Sequence, residues 1–345
     1  MRIGIANESR EAATLLRETI LKVSGHRIAW ITHTGTETVQ KCAQDKPDLI
    51  LMTPTLPVMD GAATTKKIMS HSPCAILLIT ASMDGDRAKV FEAMGHGALD
   101  VINSPLPGND TAARSSQEAL LKRIHTIQKL QWDPSHSNGH QAISNNPIIN
   151  LPNLIVTGSS TGGPKALNEI LSGLPPDFNA AIVMAQHVDE EFSQGMVDWL
   201  NAQTPLRVVL AGEGVRPEPG VAYLGASRQH LILNPDMTIG FTDHPKTLFF
   251  RPSVDLFFKS AADNWKVPGI AVLLTGMGRD GAQGLATLRN RGWHTIAQDE
   301  ATSVVYGMPK TARELNAADE ILPIDKVARS LIQWTQKTHK RQASS

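Results

Sequence analysis

The sequence predicts an α/β protein of two domains, each built around a mainly parallel sheet. Three observations support this fold class. The chain has 345 residues, which is about the length of two typical domains. Short apolar runs alternate with segments of helical periodicity, as expected for parallel strands covered by helices on both faces. This alternation stops near residues 131–150, which are rich in Ser, Asn, Pro, Gly and His, and then starts again.

The first block of alternating segments predicts a domain over residues 1–125, followed by a linker over 126–151. Apolar residues recur at helical spacing after the first predicted strand, at Ala12, Leu16, Ile20 and Val23. The predicted strands are five short apolar runs: 3–6, 28–31, 49–52, 76–79 and 101–102.

The second block predicts a doubly wound domain over residues 152–338. A proline at position 164 favours a helix start there, because the N–H that proline lacks would be unpaired in the first turn. Further helices are predicted at about 281–290 and 325–335. The predicted strands are 154–157, 181–185, 208–210, 221–224, 230–233, 270–274 and 295–297.

Composition and charge exclude several classes of function. Lysine plus arginine equals aspartate plus glutamate, at 33 each, which argues against binding nucleic acid through bulk charge. No stretch approaches the ~18 apolar residues of a membrane span, and the N-terminus does not resemble a signal peptide. The sequence thus predicts a cytoplasmic protein without membrane insertion. Its two cysteines, Cys42 and Cys74, are predicted to be reduced thiols without metal-ligand spacing.

Two motifs in the first block resemble two-component receiver domains. PDLILMTPTLPVMDG, at 47–61, is similar to the third strand and the loop after it, and FEAMGHGALDVINSP, at 91–105, to the region before the fifth strand. The resemblance covers about 120 residues and implies a flavodoxin-like domain. The segment GHGALDV, at 95–101, is most similar to methylesterases that serve Wsp-type receptor pathways.

The residues that carry receiver chemistry are largely replaced. The usual pair of acids aligns with Asn7 and Glu8, the phosphoacceptor aspartate with Thr53, and the conserved lysine with Ser104, while Thr80 matches the switch hydroxyl. Phosphoryl transfer to a carboxylate needs that carboxylate and nearby cations to disperse charge. An acyl phosphate cannot form on Thr53. We therefore expect a receiver-like domain whose acceptor position is not phosphorylated in the way that an aspartate would be.

A glycine-rich loop in the second block follows a predicted strand and precedes a helix, in the sequence LIVTGSSTGGPKAL at 154–167. A hydroxyl in this loop would lie at the positive end of the helix dipole. The loop alone leaves two interpretations open. It could hold phosphate, although it lacks the spacing and the lysine of a P-loop, or it could present Ser159 or Ser160 as a nucleophile.

Two later residues favour the nucleophile. His187, in MAQHVDEEF, and Asp280, in LLTGMGRDGAQG, each come just after a predicted strand. The carboxyl ends of strands share one edge of a doubly wound sheet, so these side chains and the serine can converge there. Taken alone, His187 is better explained as a structural surface or core histidine and Asp280 as a helix N-cap; their joint occurrence with the serine loop favours the catalytic interpretation.

Five ordered motifs resemble the catalytic domain of chemotaxis protein-glutamate methylesterases over about residues 152–335. They are GSSTGG, AQH, TGMGRDGAQG, RPSVD at 251–255 and AQDEATSVVYGMP at 297–309. The resemblance implies that Ser160 is the nucleophile, His187 the base and Asp280 the acid that orients the base. It also implies that Thr161 lies in the site and that the N–H of Met277 helps to form the oxyanion hole.

One position departs from the family pattern, because Phe250 stands where a histidine commonly precedes RPSVD. Arg251, Ser253 and Asp255 have two interpretations, either as residues that brace the site through hydrogen bonds or as a helix start with a proline in its first turn, and no role follows for them from sequence. Gln298 and Asp299 are candidate cleft residues. His230 and His244 lack metal-ligand partners at suitable spacing.

The resemblance implies hydrolysis of glutamyl γ-methyl esters by a serine triad, together with deamidation of glutamines, without a metal or organic cofactor. The implied substrates are methyl-accepting chemotaxis-type receptors, and other chemosensory signalling proteins are further candidate partners. The alternative is a catalytically silent module that docks to receptors or to a response regulator, which the degenerate receiver motivates. The intact Ser160, His187 and Asp280 argue against that alternative.

Overall fold

The computed structural model describes residues 1–342 except 24, 82, 109, 131–152 and 249. The chain divides into two compact units, Met1–Ser135 and His136–Ser345. This division falls inside the predicted linker, most of which lies outside the described residues. Each unit contains its own parallel sheet, as the predicted fold class requires.

The first unit is a five-stranded sheet whose strands are all parallel, in the order β2-β1-β3-β4-β5. This is the flavodoxin-like order, so the prediction from the receiver resemblance is confirmed. The elements in chain order are β1 (Arg2–Ala6), α1 (Arg10–Leu21), β2 (Arg27–Thr32), α2 (Gly35–Gln44), β3 (Leu49–Met52), α3 (Gly61–His71), β4 (Ala75–Thr80), α4 (Met83–Gly95), β5 (Asp100–Asn103) and α5 (Thr111–Leu130).

Local sequence explains where three of these helices begin. Ser9, Thr34 and Asp60 each accept a backbone N–H from the first turn of α1, α2 and α3, which satisfies a donor that the helix cannot pair internally. At the other end of the unit, α5 continues to Leu130. Residues 126–130, which the sequence placed in the linker, are therefore helical.

The two cysteines lie side by side in the first unit. Cys42 on α2 and Cys74 just before β4 are both free, and their sulfur atoms are 3.7 Å apart. Cys42 is fully buried, whereas Cys74 is partly exposed. The sequence separates them by 32 positions and gave no sign of this contact.

The second unit has a seven-stranded parallel sheet in the order β14-β13-β12-β6-β7-β9-β8, together with the antiparallel pair β10-β11. Its elements are β6 (Leu154–Ser159), α6 (Gly163–Ser172), β7 (Ala181–Gln186), α7 (Glu190–Gln203), β8 (Arg207–Leu210), β9 (Val221–Gly225), β10 (His230–Leu233), β11 (Ile239–Thr242), α8 (Val254–Asn264), β12 (Ile270–Leu273), α9 (Ala282–Asn290), β13 (His294–Gln298), α10 (Met308–Glu314), β14 (Glu320–Leu322) and α11 (Ile324–Gln342).

The chain order in this sheet creates a topological switch point beside β6. From β6 the chain moves to β7 on one side, and it returns later to place β12 on the other side. Loops that follow β6, β7 and β12 therefore leave the same edge of the sheet next to one another, where doubly wound proteins form their sites. Both faces are covered, and β6, β7 and β12 are buried along their whole length.

Two strands of this unit were not predicted. β14 has only three residues and lies at the sheet edge, so its sequence carries almost no periodic signal. β11 forms the small antiparallel pair with β10, outside the main sheet. Among the helices that the structure describes, none is long and apolar enough to cross a membrane.

Candidate active site

The loop after β6 distinguishes between the two candidate nucleophiles. Ser159 is fully buried, and its hydroxyl donates to Gln186 Oε1 at 2.6 Å. Ser160 is partly exposed, and its backbone N–H donates to the carbonyl of Thr275 at 3.1 Å. Because the Ser159 hydroxyl is engaged in the core, Ser160 is the serine whose side chain is available at the sheet edge.

Two glycines allow this loop to approach its neighbours closely. Gly162 has φ = 77°, a left-handed conformation that side chains disfavour, and a Cβ there would lie 2.6 Å from Val304. Gly276, in the loop after β12, would place a Cβ 2.8 Å from the Cβ of Ser160. The absence of a side chain at Gly276 thus lets the β12 loop contact the backbone that carries Ser160.

His187 leaves the sheet from the strand next to the serine loop. β6 and β7 are paired up to Ser159 and Gln186, and the N–H of His187 donates to the carbonyl of Ser159 at 3.1 Å. The amide of Gln186 then joins the two loops, since Nε2 donates to the carbonyls of Ser160 at 2.9 Å and His187 at 3.1 Å. Buried Gln186 therefore fixes both loops.

Asp280 meets His187 from the other side, with Oδ2 2.9 Å from the imidazole Nε2. Both side chains are nearly buried, with 9% and 10% of their surface exposed. A carboxylate accepts from Nε2–H, so this contact leaves the lone pair on Nδ1.

The first turn of α8 holds the Asp280 carboxylate. Oδ1 accepts from the hydroxyl of Ser253 and the N–H of Asp255, both at 3.0 Å, and Oδ2 accepts from the N–H of Val254 at 2.7 Å. A helix N-terminus favours a negative charge through its dipole and its free donors. The interpretation of Asp280 as the N-cap of its own following helix is wrong, since Gly281 holds that position and the Asp280 carboxylate instead accepts N–H groups from the first turn of α8.

Two neighbouring carboxyls respond differently to this environment. Burial alone would raise the pKa of Asp280, but the hydrogen bond and charge of His187 and the α8 N–H groups outweigh it and leave this pKa below its ordinary value. Burial, and then the nearby charge of Asp280, raise the pKa of Asp255 to about 6. Asp280 is therefore the member of the pair that stays ionised.

The remaining ring nitrogen of His187 has no hydrogen-bond partner among the described residues. Nδ1 is buried and has no hydrogen bond to any described residue, Ser160 included. Phe250 covers the imidazole in a parallel stack, with ring centroids 4.4 Å apart and planes 5° from parallel. The structure thus joins His187 to Asp280 and leaves Ser160 on the adjacent loop without a hydrogen bond to the ring, a common state of catalytic contacts before substrate binds.

Two backbone donors lie on the loops that flank Ser160. Within the part of the chain that the structure describes, the N–H groups of Thr161 and Met277 donate to no backbone acceptor. Thr161 is nearly buried, and its carbonyl accepts from the hydroxyl of Thr275 at 2.9 Å. Met277 follows Gly276, which is paired with Tyr306 in an isolated parallel bridge. Unpaired N–H groups in fixed loops are the donors from which oxyanion holes are made.

Other residues hold the site together through hydrogen bonds. Gln298, a candidate cleft residue from sequence, is 1% exposed and accepts the N–H of Thr275 at 2.8 Å, so it braces the loop after β12 from within the core. For Ser253 the sequence left open whether it braces the site or starts a helix, and the structure shows both: it caps α8, and its hydroxyl donates to Asp280.

The receiver positions also lie together at the carboxyl edge of the first sheet. Thr53 follows β3, and its hydroxyl is 3.2 Å from that of Thr55. Thr55 in turn donates to the Glu8 carboxylate, at 3.0 and 3.2 Å. Glu8, which the resemblance aligned with one of the two receiver acids, is therefore hydrogen bonded to a threonine of the loop that follows β3. No group of His, Cys, Asp or Glu suited to a metal occurs among the described residues.

The comparisons with known proteins agree with this division of the chain. A family model described as CheB methylesterase matches residues 155–331, and a model described as response regulator receiver domain matches residues 3–114. A protein-glutamate methylesterase/protein-glutamine glutaminase of Mesorhizobium japonicum is 45% identical over 340 residues, covering 98% of this chain and all of that protein. A protein of the same name from Pseudomonas syringae is 43% identical over 336 residues, covering 96% of this chain and 99% of that one.

Among solved structures, the CheB methylesterase catalytic domain of Thermotoga maritima is 37% identical, with a TM-score of 0.51. The match covers 53% of this chain and 98% of that domain. The two family models match the chain in the expected order, and the relatives match it almost from end to end. Both findings agree with the two domains that the two sheets define. The chain belongs to the CheB methylesterase family and carries a response regulator receiver domain before its esterase domain.

Proposed function

We propose that this protein hydrolyses glutamyl γ-methyl esters on methyl-accepting chemotaxis-type receptors, with Ser160 as nucleophile, His187 as base and Asp280 as the acid that orients the base. One observation carries the proposal: the imidazole of His187 is held by Asp280 through Nε2 while Nδ1 is buried and unpaired, and the backbone N–H of His187 donates to the carbonyl of Ser159, the residue before Ser160. A nitrogen with a free lone pair in that position lacks only the hydroxyl proton that it would accept.

The contacts support a separate role for each of the three side chains in acyl transfer. Asp280 fixes the tautomer with the proton on Nε2, so that Nδ1 removes the proton of Ser160 as its oxygen attacks the ester carbonyl. The Asp280 carboxylate then stabilises the imidazolium that forms. The two loops that carry Ser160 and His187 are joined through Gln186, which supports proton transfer between these residues.

The unpaired N–H groups of Thr161 and Met277 would stabilise the oxyanion of the tetrahedral intermediate; loss of one such donor typically costs ~10²–10³ in rate. Methanol leaves with the proton from His187. Water then attacks the acyl-enzyme, and the receptor glutamate and Ser160 are released.

The same steps with a glutamine side chain release ammonia, so deamidation is the second activity we propose. The relatives from Mesorhizobium japonicum and Pseudomonas syringae are named for both activities.

The activity is tested by mixing purified protein with methylated receptor and measuring methanol. Ser160→Ala is expected to lower release by ~10⁴-fold or more, because the step that forms the acyl-enzyme is lost. Ser172→Ala is a matched control, since Ser172 lies on the exposed side of α6 and bonds only to Asn168 and the carbonyl of Gln203. Methanol release that persists in Ser160→Ala would refute the proposal, and a wild type that releases none would favour the silent docking module.

We also infer that the receiver domain does not control the esterase through aspartyl phosphorylation. Thr53 replaces the acceptor, and the remaining acid Glu8 is bonded to Thr55. Acetyl phosphate is expected to leave methanol release unchanged, and a clear stimulation would contradict the inference. Comparing residues 1–345 with residues 150–345 then measures whether the receiver domain inhibits at all.

A further inference from the structure

His230 is a fully buried histidine outside the three proposed catalytic residues. It begins β10, and both of its ring nitrogens are engaged. Nδ1 receives the backbone N–H of Ser253 at 3.1 Å, and Nε2 lies 3.3 Å from the carbonyl of Pro245. The sequence contains no metal-ligating partner at suitable spacing from His230. In the structure, its two ring nitrogens contact backbone groups instead.

The partners of His230 determine its protonation state. A backbone N–H can only donate, so Nδ1 must present a lone pair to Ser253. The proton therefore resides on Nε2, where it is donated to Pro245, and the ring is neutral. Burial lowers the pKa of His230, and Arg251 lowers it further, against the opposing effects of the Pro245 carbonyl and of Asp280 and Asp243. Geometry and environment thus agree on a neutral imidazole.

Ser253 connects His230 to the site. Its hydroxyl donates to Asp280 Oδ1 at 3.0 Å, and the N–H groups of the next two residues donate to the same carboxylate. The contact with His230 therefore fixes the residue from which α8 starts. A displacement of Ser253 would move all three donors that aim Asp280 at His187.

We propose that His230 is a positioning residue for the esterase, whose neutral imidazole fixes Ser253 and the first turn of α8 so that Asp280 stays aligned with His187. The inference rests on the proposed function. Protonation of His230 would place an N–H on Nδ1 against the N–H of Ser253, which breaks the contact. The enzyme then carries a second proton-sensitive step in acid, in addition to protonation of the base itself.

Two amide variants separate the two nitrogens of the ring. In His230→Asn the side-chain oxygen can occupy the place of Nδ1 and accept from Ser253, whereas in His230→Gln the amide reaches the place of Nε2 and leaves Ser253 unpaired. We expect His230→Asn to keep kcat within a few-fold of the wild type. His230→Gln is expected to lose roughly 10- to 100-fold in kcat with little change in KM, as for an unsatisfied buried donor.

The pH profile distinguishes a positioning role from a purely structural one, because a purely structural residue would not change the acid side of the profile. Below about pH 6 the wild type should lose kcat/KM more steeply than His230→Asn, because an amide does not take up a proton. His294→Asn is the matched control: His294 contacts Glu320 at the other end of β13, and its removal should leave the acid slope as in the wild type.

The experiment is full-length protein with methylated receptor, assayed for methanol between about pH 5 and 8. Equal kcat in the Asn and Gln variants, or equal acid slopes in the wild type and His230→Asn, would overturn the positioning role. If His230→Gln does not fold, the comparison of slopes decides alone. A wild type that releases no methanol would refute the proposed function instead, so the two failures are distinguishable.

Discussion

Replacing Asp280 with asparagine tests the proposed site most directly, because four donors converge on its carboxylate. Oδ2 accepts from His187 and Val254, and Oδ1 from Ser253 and Asp255. An amide NH₂ in the Oδ2 position opposes the N–H of Val254. It also donates to Nε2 of His187, which favours the tautomer with the proton on Nδ1, and Nδ1 then cannot act as a base. In the Oδ1 position it opposes the N–H of Asp255.

Both orientations also remove the negative charge that stabilises the imidazolium. We therefore expect methanol release to fall by about 10⁴-fold, or roughly 5 kcal/mol in transition-state stabilisation. The matched control is Asp263→Asn, since Asp263 is exposed and pairs only with Arg291 on the surface. A loss smaller than about tenfold in a folded Asp280→Asn protein would refute the reasoning.

Stability provides a second readout of the same variant. The pKa of Asp280 is lowered on folding, so its charged form stabilises the protein above the ordinary aspartate pKa. This contribution is lost as the pH falls through the lowered pKa. The melting temperature of Asp280→Asn should therefore lie below that of the wild type at neutral pH, and the difference should shrink in acid.

Three further variants or treatments test other parts of the structure. Gly276→Ala would bring a methyl group into collision with Met308 Sδ and to 2.8 Å from Ser160 Cβ. We therefore expect at least a tenfold loss of esterase rate, and a fully active variant would contradict this packing. Phe250→Ala removes the stack on His187 and should lower kcat by about 2- to 10-fold, whereas Phe250→His, which restores a flat ring, should recover most of it. Oxidised glutathione should join Cys42 and Cys74 in an intramolecular disulfide with release of two thiols, because their sulfurs are already 3.7 Å apart; alkylation of both residues after treatment would contradict this.

Sequence reasoning located the strands of both sheets closely where apolar runs were long and bounded by turn residues. Leu49–Met52 and His230–Leu233 were predicted to the residue. The method failed where the signal was short or absent, as at the three-residue edge strand Glu320–Leu322. It also ended the first domain at residue 125, whereas α5 continues to Leu130.

For the site, the sequence supplied the residue types and the rule that strand ends share one edge. It could thus place Ser160, His187 and Asp280 on three loops that converge. It could not choose between the two serines from the loop alone, because that choice depends on the buried bond from Ser159 to Gln186 across two strands.

The sequence by itself determined the two parallel sheets and the order of the motifs along the chain. Only the tertiary structure decided which groups surround Asp280 and which backbone groups bind the buried ring of His230. Apolar periodicity and turn residues are local properties of the chain, so sequence records them. Hydrogen bonds between side chains and the backbone of distant segments, such as those of Ser253 with His230 and Asp280, arise only when packing brings those segments together.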